Sequence, residues 1–213
     1  MPEPITIFVD DIAIETTEGA NVLDAALRAG ICIPNLCYLP EVTPTGACRV
    51  CIVEVERHGR TKMTAACTLE AREGMIVRAH SEPVLRARRN IVELLLAEAP
   101  ESPVLQALAE RLSVTDVRYS RRDRDCILCG RCVAACAEVA KQGSLGMIGR
   151  GANRHKGLPF YKEEYCTQCN ECHDRCPLEL SPSGRRGDHC GVCGSELSMN
   201  DAIPDICEDC VLS

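Results

Sequence analysis

CILCGRCVAAC (residues 126–136) and CTQCNECHDRCP (residues 166–177) are two copies of one cysteine run, and their spacing decides how residues 118–180 fold. Cys126, Cys129, Cys132 and Cys136 follow C-x2-C-x2-C-x3-C. Cys166, Cys169, Cys172 and Cys176 repeat it, closed by Pro177, where the first copy has Ala137. Three thiolates at this spacing wrap three corners of an iron–sulfur cubane. The chain then turns away and carries the fourth cysteine to the other cluster. On that rule one [4Fe–4S] cluster takes Cys126, Cys129, Cys132 and Cys176, and a second takes Cys136, Cys166, Cys169 and Cys172. Zinc competes poorly here, because tetrahedral zinc sites use cysteine pairs rather than triplets. His173 sits inside the second run and reads as solvent-facing or as a neighbour of the cluster.

Upstream, residues 1–80 read as strands around one helix. ITIFV (5–9) and IAIETT (12–17) alternate apolar and polar residues and flank Asp10-Asp11, a hairpin signal. Asn21 caps a helix through Val22, Leu23, Ala26 and Ala29 that stops at Gly30. CIVEVER (51–57) and TKMTAAC (61–67) form a second hairpin, and MIVRAH (75–80) is a last strand. The order ββαβββ predicts a small mixed sheet packed on one helix. Its cysteines run Cys37-x10-Cys48-x2-Cys51-x15-Cys67. Four thiolates suit a [2Fe–2S] cluster, although the first interval exceeds that of the plant-type motif. Gly46 lacks a side chain, which lets backbone amides approach sulfur. Zinc and purely structural thiols are the competing readings. Cys32, between Ile31 and Ile33, reads as a free core thiol.

Residues 81–117 read as a helical linker. Ser81 is the expected N-cap, with Pro83 in the first turn. Ile91, Val92, Leu94, Leu95 and Leu96 form a wide apolar face. Pro100 and Pro103 separate a second helix carrying Leu105, Leu108 and Leu112. Residues 181–213 begin with SPSGRRGD and end in Cys190-x2-Cys193 and Cys207-x2-Cys210, a zinc-ribbon-like tail. Four thiolates there would hold one structural Zn2+, with a further iron–sulfur cluster as the rival; His189 reads as surface.

The 213 residues contain 17 cysteines, an odd number, and no Trp. The odd count, the C-x2-C pairs and an opening MPEPITIFVDD without a basic start or apolar h-region oppose a disulfide framework and a secretory signal. The expected location is the reducing cytoplasm. No apolar run approaches the roughly 20 residues needed to span a bilayer. A net charge of −7 argues against nucleic acid, and the cluster Arg118, Arg121, Arg122 and Arg124 reads as a solvated or subunit-facing linker. There is no G-x-G-x-x-G fingerprint and no P-loop.

GICIPNLCYLP (30–40), GACRVCIVEV (46–55), AACTLE (65–70) and RRNIVELLLAEAP (88–100) together resemble one family. It comprises the large iron–sulfur subunit of respiratory complex I, the small diaphorase subunit of NAD-linked hydrogenases, iron-only hydrogenases and NAD-dependent formate dehydrogenases. The resemblance covers roughly residues 1–180 and implies an α+β chain: an N-terminal β-grasp [2Fe–2S] domain, the helical linker, and a bacterial-ferredoxin-like 2[4Fe–4S] domain. It places the [2Fe–2S] ligands on Cys37, Cys48, Cys51 and Cys67. The family usually follows its LLL helix with one histidine and three cysteines holding another cluster. AEAPESPVLQALAERL (97–112) has neither residue type, so that cluster should be absent.

The implied function is a non-catalytic electron-transfer subunit. It would stand between a flavoprotein NAD(P)H-oxidising subunit and a hydrogenase or formate dehydrogenase, in an assembly that could be electron-bifurcating. A free-standing ferredoxin-like carrier and a redox or metal sensor are the alternatives.

Overall fold

A computed structural model describes residues 3–57, 59–122, 124–159, 166 and 169–178. The tail with Cys190, Cys193, Cys207 and Cys210, and with it the zinc-ribbon expectation, lies outside the described residues.

The first hairpin forms as its alternation predicts. β1 (Pro4–Val9) pairs antiparallel with β2 (Ile12–Thr17) in the register Ile7↔Ile14. Asp10 and Asp11 take φ of +46° and +68°, the left-handed conformations that a tight two-residue hairpin needs. Helix α1 (Val22–Arg28) starts where Asn21 accepts a hydrogen bond from the Asp24 amide at 3.1 Å. β3 (Ile52–Arg57) and β4 (Arg60–Ala65) form the second hairpin, and β5 (Ile76–Arg78) is shorter than the sequence suggests. The sheet order is β2-β1-β5-β3-β4, with β5 parallel to β1 and antiparallel to β3.

One face of this mixed sheet is buried. Ile5, Ile7, Val9, Ile14, Val53, Val55 and Val77 close over Val22, Leu23 and Ala26 of α1. Each fully buried aliphatic side chain contributes about 1.5–3 kcal/mol. Helices α2 (Glu82–Glu98) and α3 (Pro103–Arg111) carry a second core, in which Val92, Leu96, Val104, Leu105 and Leu108 meet Leu36, Val50, Ile127 and Leu178. That core contains residues from both cysteine-bearing regions.

Two expectations, the Ser81 cap and Leu94, are corrected here. Ser81 stands at the α2 N-cap position but makes no cap bond; its hydroxyl donates to the Glu54 carboxylate instead. Of the apolar face of α2, Ile91, Val92, Leu95 and Leu96 pack in the second core, but Leu94 is exposed, while Arg88 and Glu93 are buried. The arginine cluster is exposed at Arg118, Arg121 and Arg122, in keeping with a solvated linker, and is in addition paired within the chain. Arg118 clamps Glu93 with Nη2–Oε2 at 2.6 Å, and Arg122 and Arg124 pair with Glu98 at 3.2 and 3.8 Å.

The repeat folds as a repeat. Short helices α4 (Arg131–Ala134) and α5 (Glu171–Asp174) follow the second cysteine of each run. Gly130 and Asn170, at equivalent positions, both start their helix in the left-handed region, at φ +82° and +63°. Asparagine tolerates that conformation almost as glycine does. Between the runs, β6 (Gly146–Ile148) and β7 (His155–Gly157) form a small antiparallel ribbon.

Candidate metal centres

Cys37, Cys48, Cys51 and Cys67 come from three separate pieces of chain. Cys37 and Cys48 lie in the irregular stretch before β3, Cys51 immediately precedes β3, and Cys67 sits in a 3-10 turn (Ala66–Thr68) after β4. The Ala66 amide donates to the Cys51 carbonyl at 2.9 Å, and the Asn21 side chain donates to the Cys67 carbonyl. Hairpin and helix cap thus fix two of the four positions. All four residues are buried.

The four thiols form a chain of hydrogen bonds, Cys48 to Cys37, Cys67 to Cys37 and Cys67 to Cys51. Hydrogen bonds from the Cys48 and Cys67 thiols pull the Cys37 thiol far below the ordinary range, to about 2. Cys51 is lowered by a hydrogen bond from Cys67. Cys48 and Cys67, as the donors, are pushed up. The Cys48 amide also points at Cys37 Sγ, 3.5 Å away. Gly46 explains the close fit of this loop. Its φ is +62°, and an added Cβ would lie 3.2 Å from Thr68 Cγ2. A water-poor nest of four thiols, two already disposed to ionise and one facing a backbone amide, is a donor set suited to cationic iron.

The two runs are not each gathered around their own centre. Cys126, Cys129, Cys132 and Cys176 line one pocket with Pro177, Met147 and Lys156. Cys136 lines another, of about 290 Å³, with Cys166, Cys169 and Cys172. Each pocket is thus lined by the first three cysteines of one run and the last cysteine of the other. Cys136 belongs to a π-helical turn (Ala135–Val139) continuing α4, and this turn carries it away from its own run. Amides approach these sulfurs too: Leu128 N lies 3.3 Å from Cys126 Sγ, and Leu145 N lies 3.5 Å from Cys136 Sγ. Burial pushes the Cys129 thiol up to about 12 and raises Cys132 and Cys172. Such thiols are poor ions until a metal is present. Cys166 and Cys169 are exposed, as is His173.

The first and second groups of cysteines adjoin. Arg131 Nη1 donates to the Leu36 carbonyl at 3.0 Å, and Glu138 Oε2 accepts from Thr43 N and Oγ1 at 2.8 and 3.0 Å. None of these partners was visible in the cysteine spacing. Cys32 is half-buried and disulfide-bonded, not the free core thiol expected.

Comparison with known proteins finds both kinds of cluster domain in this chain. Residues 2–82 match the family model of a 2Fe-2S iron-sulfur cluster binding domain, and residues 125–180 that of a 4Fe-4S dicluster domain. The NADP-reducing hydrogenase subunit HndD of Solidesulfovibrio fructosivorans is 33% identical over 206 residues, covering 81% of this chain and 35% of that protein. The mitochondrial NADH dehydrogenase [ubiquinone] iron-sulfur protein 1 of Solanum tuberosum is 31% identical over 206 residues, covering 84% of this chain and 28% of that one. The chain thus spans about a third of the length of the first of these curated relatives and somewhat less of the second. A chain in the crystal structure of NAD+-reducing [NiFe]-hydrogenase in the H2-reduced state superposes with a TM-score of 0.66 at 30% identity, covering 89% of this chain and 86% of that chain. Among the described residues no helix is long and apolar enough to cross a membrane. With both cluster domains matched in order and a solved relative covered over most of its length, the chain belongs to the family of iron–sulfur proteins that includes the NADP-reducing hydrogenase subunit and the NADH dehydrogenase iron–sulfur protein.

Proposed function

We propose that this chain is a non-catalytic electron-transfer subunit carrying one [2Fe–2S] and two [4Fe–4S] clusters. Cys37, Cys48, Cys51 and Cys67 would hold the first, Cys126, Cys129, Cys132 and Cys176 the second, and Cys136, Cys166, Cys169 and Cys172 the third. The observation that carries this reading is the exchange of the fourth cysteines between two separate pockets. A cluster supplies a one-electron redox site; the chain's share is to fix its position and set its potential through burial and N–H···S bonds. The domain division follows: a β-grasp over 1–80, supported by the sheet order, a helical linker over 81–117, the dicluster domain over 118–180 and the four-cysteine tail over 181–213. We assign the tail cysteines Cys190, Cys193, Cys207 and Cys210 to one structural Zn2+.

The partners proposed are a flavoprotein that oxidises NAD(P)H and a catalytic hydrogenase or formate dehydrogenase, in the cytoplasm. They are supported by the relatives' own descriptions as NADP-reducing hydrogenase subunit and NAD+-reducing [NiFe]-hydrogenase. Metal analysis of the anaerobically purified chain tests the reading: about 10 iron and about one zinc are expected. A colourless preparation whose only metal is zinc overturns it.

A further inference from the structure

Arg88, in the middle of α2, is 1% exposed. Its Nε donates to the Val50 carbonyl at 3.0 Å, and its Nη2 donates to the Ile52 and Ala79 carbonyls at 3.0 and 3.1 Å. Val50 and Ile52 are the two neighbours of Cys51, so the guanidinium clasps the backbone on both sides of a site cysteine. All three acceptors are neutral.

A buried charge is tolerated when an opposite charge offsets its lost hydration. Among the described residues no carboxylate is hydrogen-bonded to Arg88. The Asp10 carboxylate acts on it electrostatically, but Asp10 is already engaged: Oδ1 by the Ala79 and His80 amides at 2.7 and 3.4 Å, Oδ2 by the His80 ring at 2.7 Å. Arg111 adds a like charge from α3. The hydrogen bonds to the Val50 and Ile52 carbonyls, on either side of Cys51, hold the guanidinium next to that cysteine. Burial brings the guanidinium down only to about 10, so it is a cation at neutral pH.

The missing counter-charge has a natural source. Four thiolates around two irons and two sulfides make an anionic unit, and one-electron reduction adds a further negative charge. We infer that Arg88 is the built-in counter-ion of the Cys37, Cys48, Cys51 and Cys67 site, a positioning residue whose buried charge favours the reduced state of a cluster there. This inference rests on the reading of those four cysteines as a [2Fe–2S] site. The same side chain serves as a staple between α2 and the sheet, but a staple needs only its hydrogen bonds, whereas a counter-ion needs its charge.

The test compares Arg88→Lys, Arg88→Gln and Arg88→Met in the full chain, with cluster content and the [2Fe–2S] midpoint potential read by EPR-monitored redox titration with dithionite. The neutral variants should lower the one-electron reduction constant on the order of tenfold, which is about 59 mV more negative. The lysine variant should stay within roughly threefold of the parent. A neutral variant that keeps its cluster at the parental potential overturns the inference, as does an equal shift in the lysine and glutamine variants. If the neutral variants assemble no [2Fe–2S] cluster, assembly in the lysine variant supports it and failure in all three overturns it. Absence of a [2Fe–2S] signal from the unmutated chain refutes the underlying site assignment instead.

Discussion

The guanidinium of Arg131, between Cys129 and Cys132, donates to the carbonyl of Leu36, the residue before Cys37, at 3.0 Å. One side chain therefore joins two cysteine sites 95 residues apart in sequence. Around it, Glu138 holds Thr43, and Arg175 lies 3.8 Å from Glu41.

Removing that link should loosen the loop without emptying either site. Arg131→Met is expected to cost about 1.5–3 kcal/mol, the usual range for a hydrogen bond from a charged donor. Hydrogen exchange should speed up over residues 36–43 while iron content stays parental. Unchanged protection of the Thr43 amide would show that the contact carries no stability.

The proposed ligand exchange makes a selective prediction. Cys176→Ser should damage the [4Fe–4S] cluster grouped with Cys126, Cys129 and Cys132, and Cys136→Ser the one grouped with Cys166, Cys169 and Cys172. EPR of the two variants should show different cubane signals perturbed. If each mutation disturbs the cluster of its own run, the crossing is wrong.

Backbone handedness predicts an asymmetric tolerance at Gly130. Its φ of +82° is matched by +63° at Asn170 in the other copy. Nothing lies within 4 Å of an added Cβ, so conformation rather than crowding decides. Gly130→Asn should be nearly neutral, whereas Gly130→Val should lose at least about 1–2 kcal/mol. Thermal loss of the visible iron–sulfur absorbance measures both.

A pH-dependent contribution comes from Asp10. Burial opposes its ionisation, but the His80 side chain, helped by the Ala79 and His80 amides, outweighs this and holds the carboxyl below 3.8. A depressed carboxyl stabilises the fold above its unfolded pKa and loses that contribution as pH falls through the folded value. Asp10→Asn, which keeps a residue suited to φ +46°, should therefore melt lower than the parent at pH 7. The gap should close as pH falls below 3.8, because Asp10 protonates in the parent too. A gap independent of pH would assign the role of Asp10 to its backbone contacts alone.

Much of the architecture was legible because local chemistry and final contacts coincide. Asp10-Asp11 could serve only a tight turn, Asn21 capped the helix it preceded, and alternation put Ile5, Ile7 and Val9 on one face. The two cluster domains were legible because cluster geometry constrains cysteine spacing along the chain. Arg88 was not: a 3.6-residue period predicts an apolar stripe, and nothing local says that one position on it meets three carbonyls of a sheet. Leu94 failed for the same reason, and the pairing of Arg118, Arg122 and Arg124 with Glu93 and Glu98 was equally invisible, since both depend on how α2 lies against distant segments. Arg131 and Glu138 sit among cysteines whose spacing drew the reading towards metal and away from docking.

The second core, in which Leu36, Cys37 and Val50 pack with Ile127, Cys129 and Leu178, bears on the N-terminal cysteine group. Cys51 and Cys67 sit in a core closed within residues 5–79, whereas the wall around Cys37 and Cys48 is completed in part by Ile127, Cys129 and Leu178, so the two halves of one cysteine group depend on different stretches of chain.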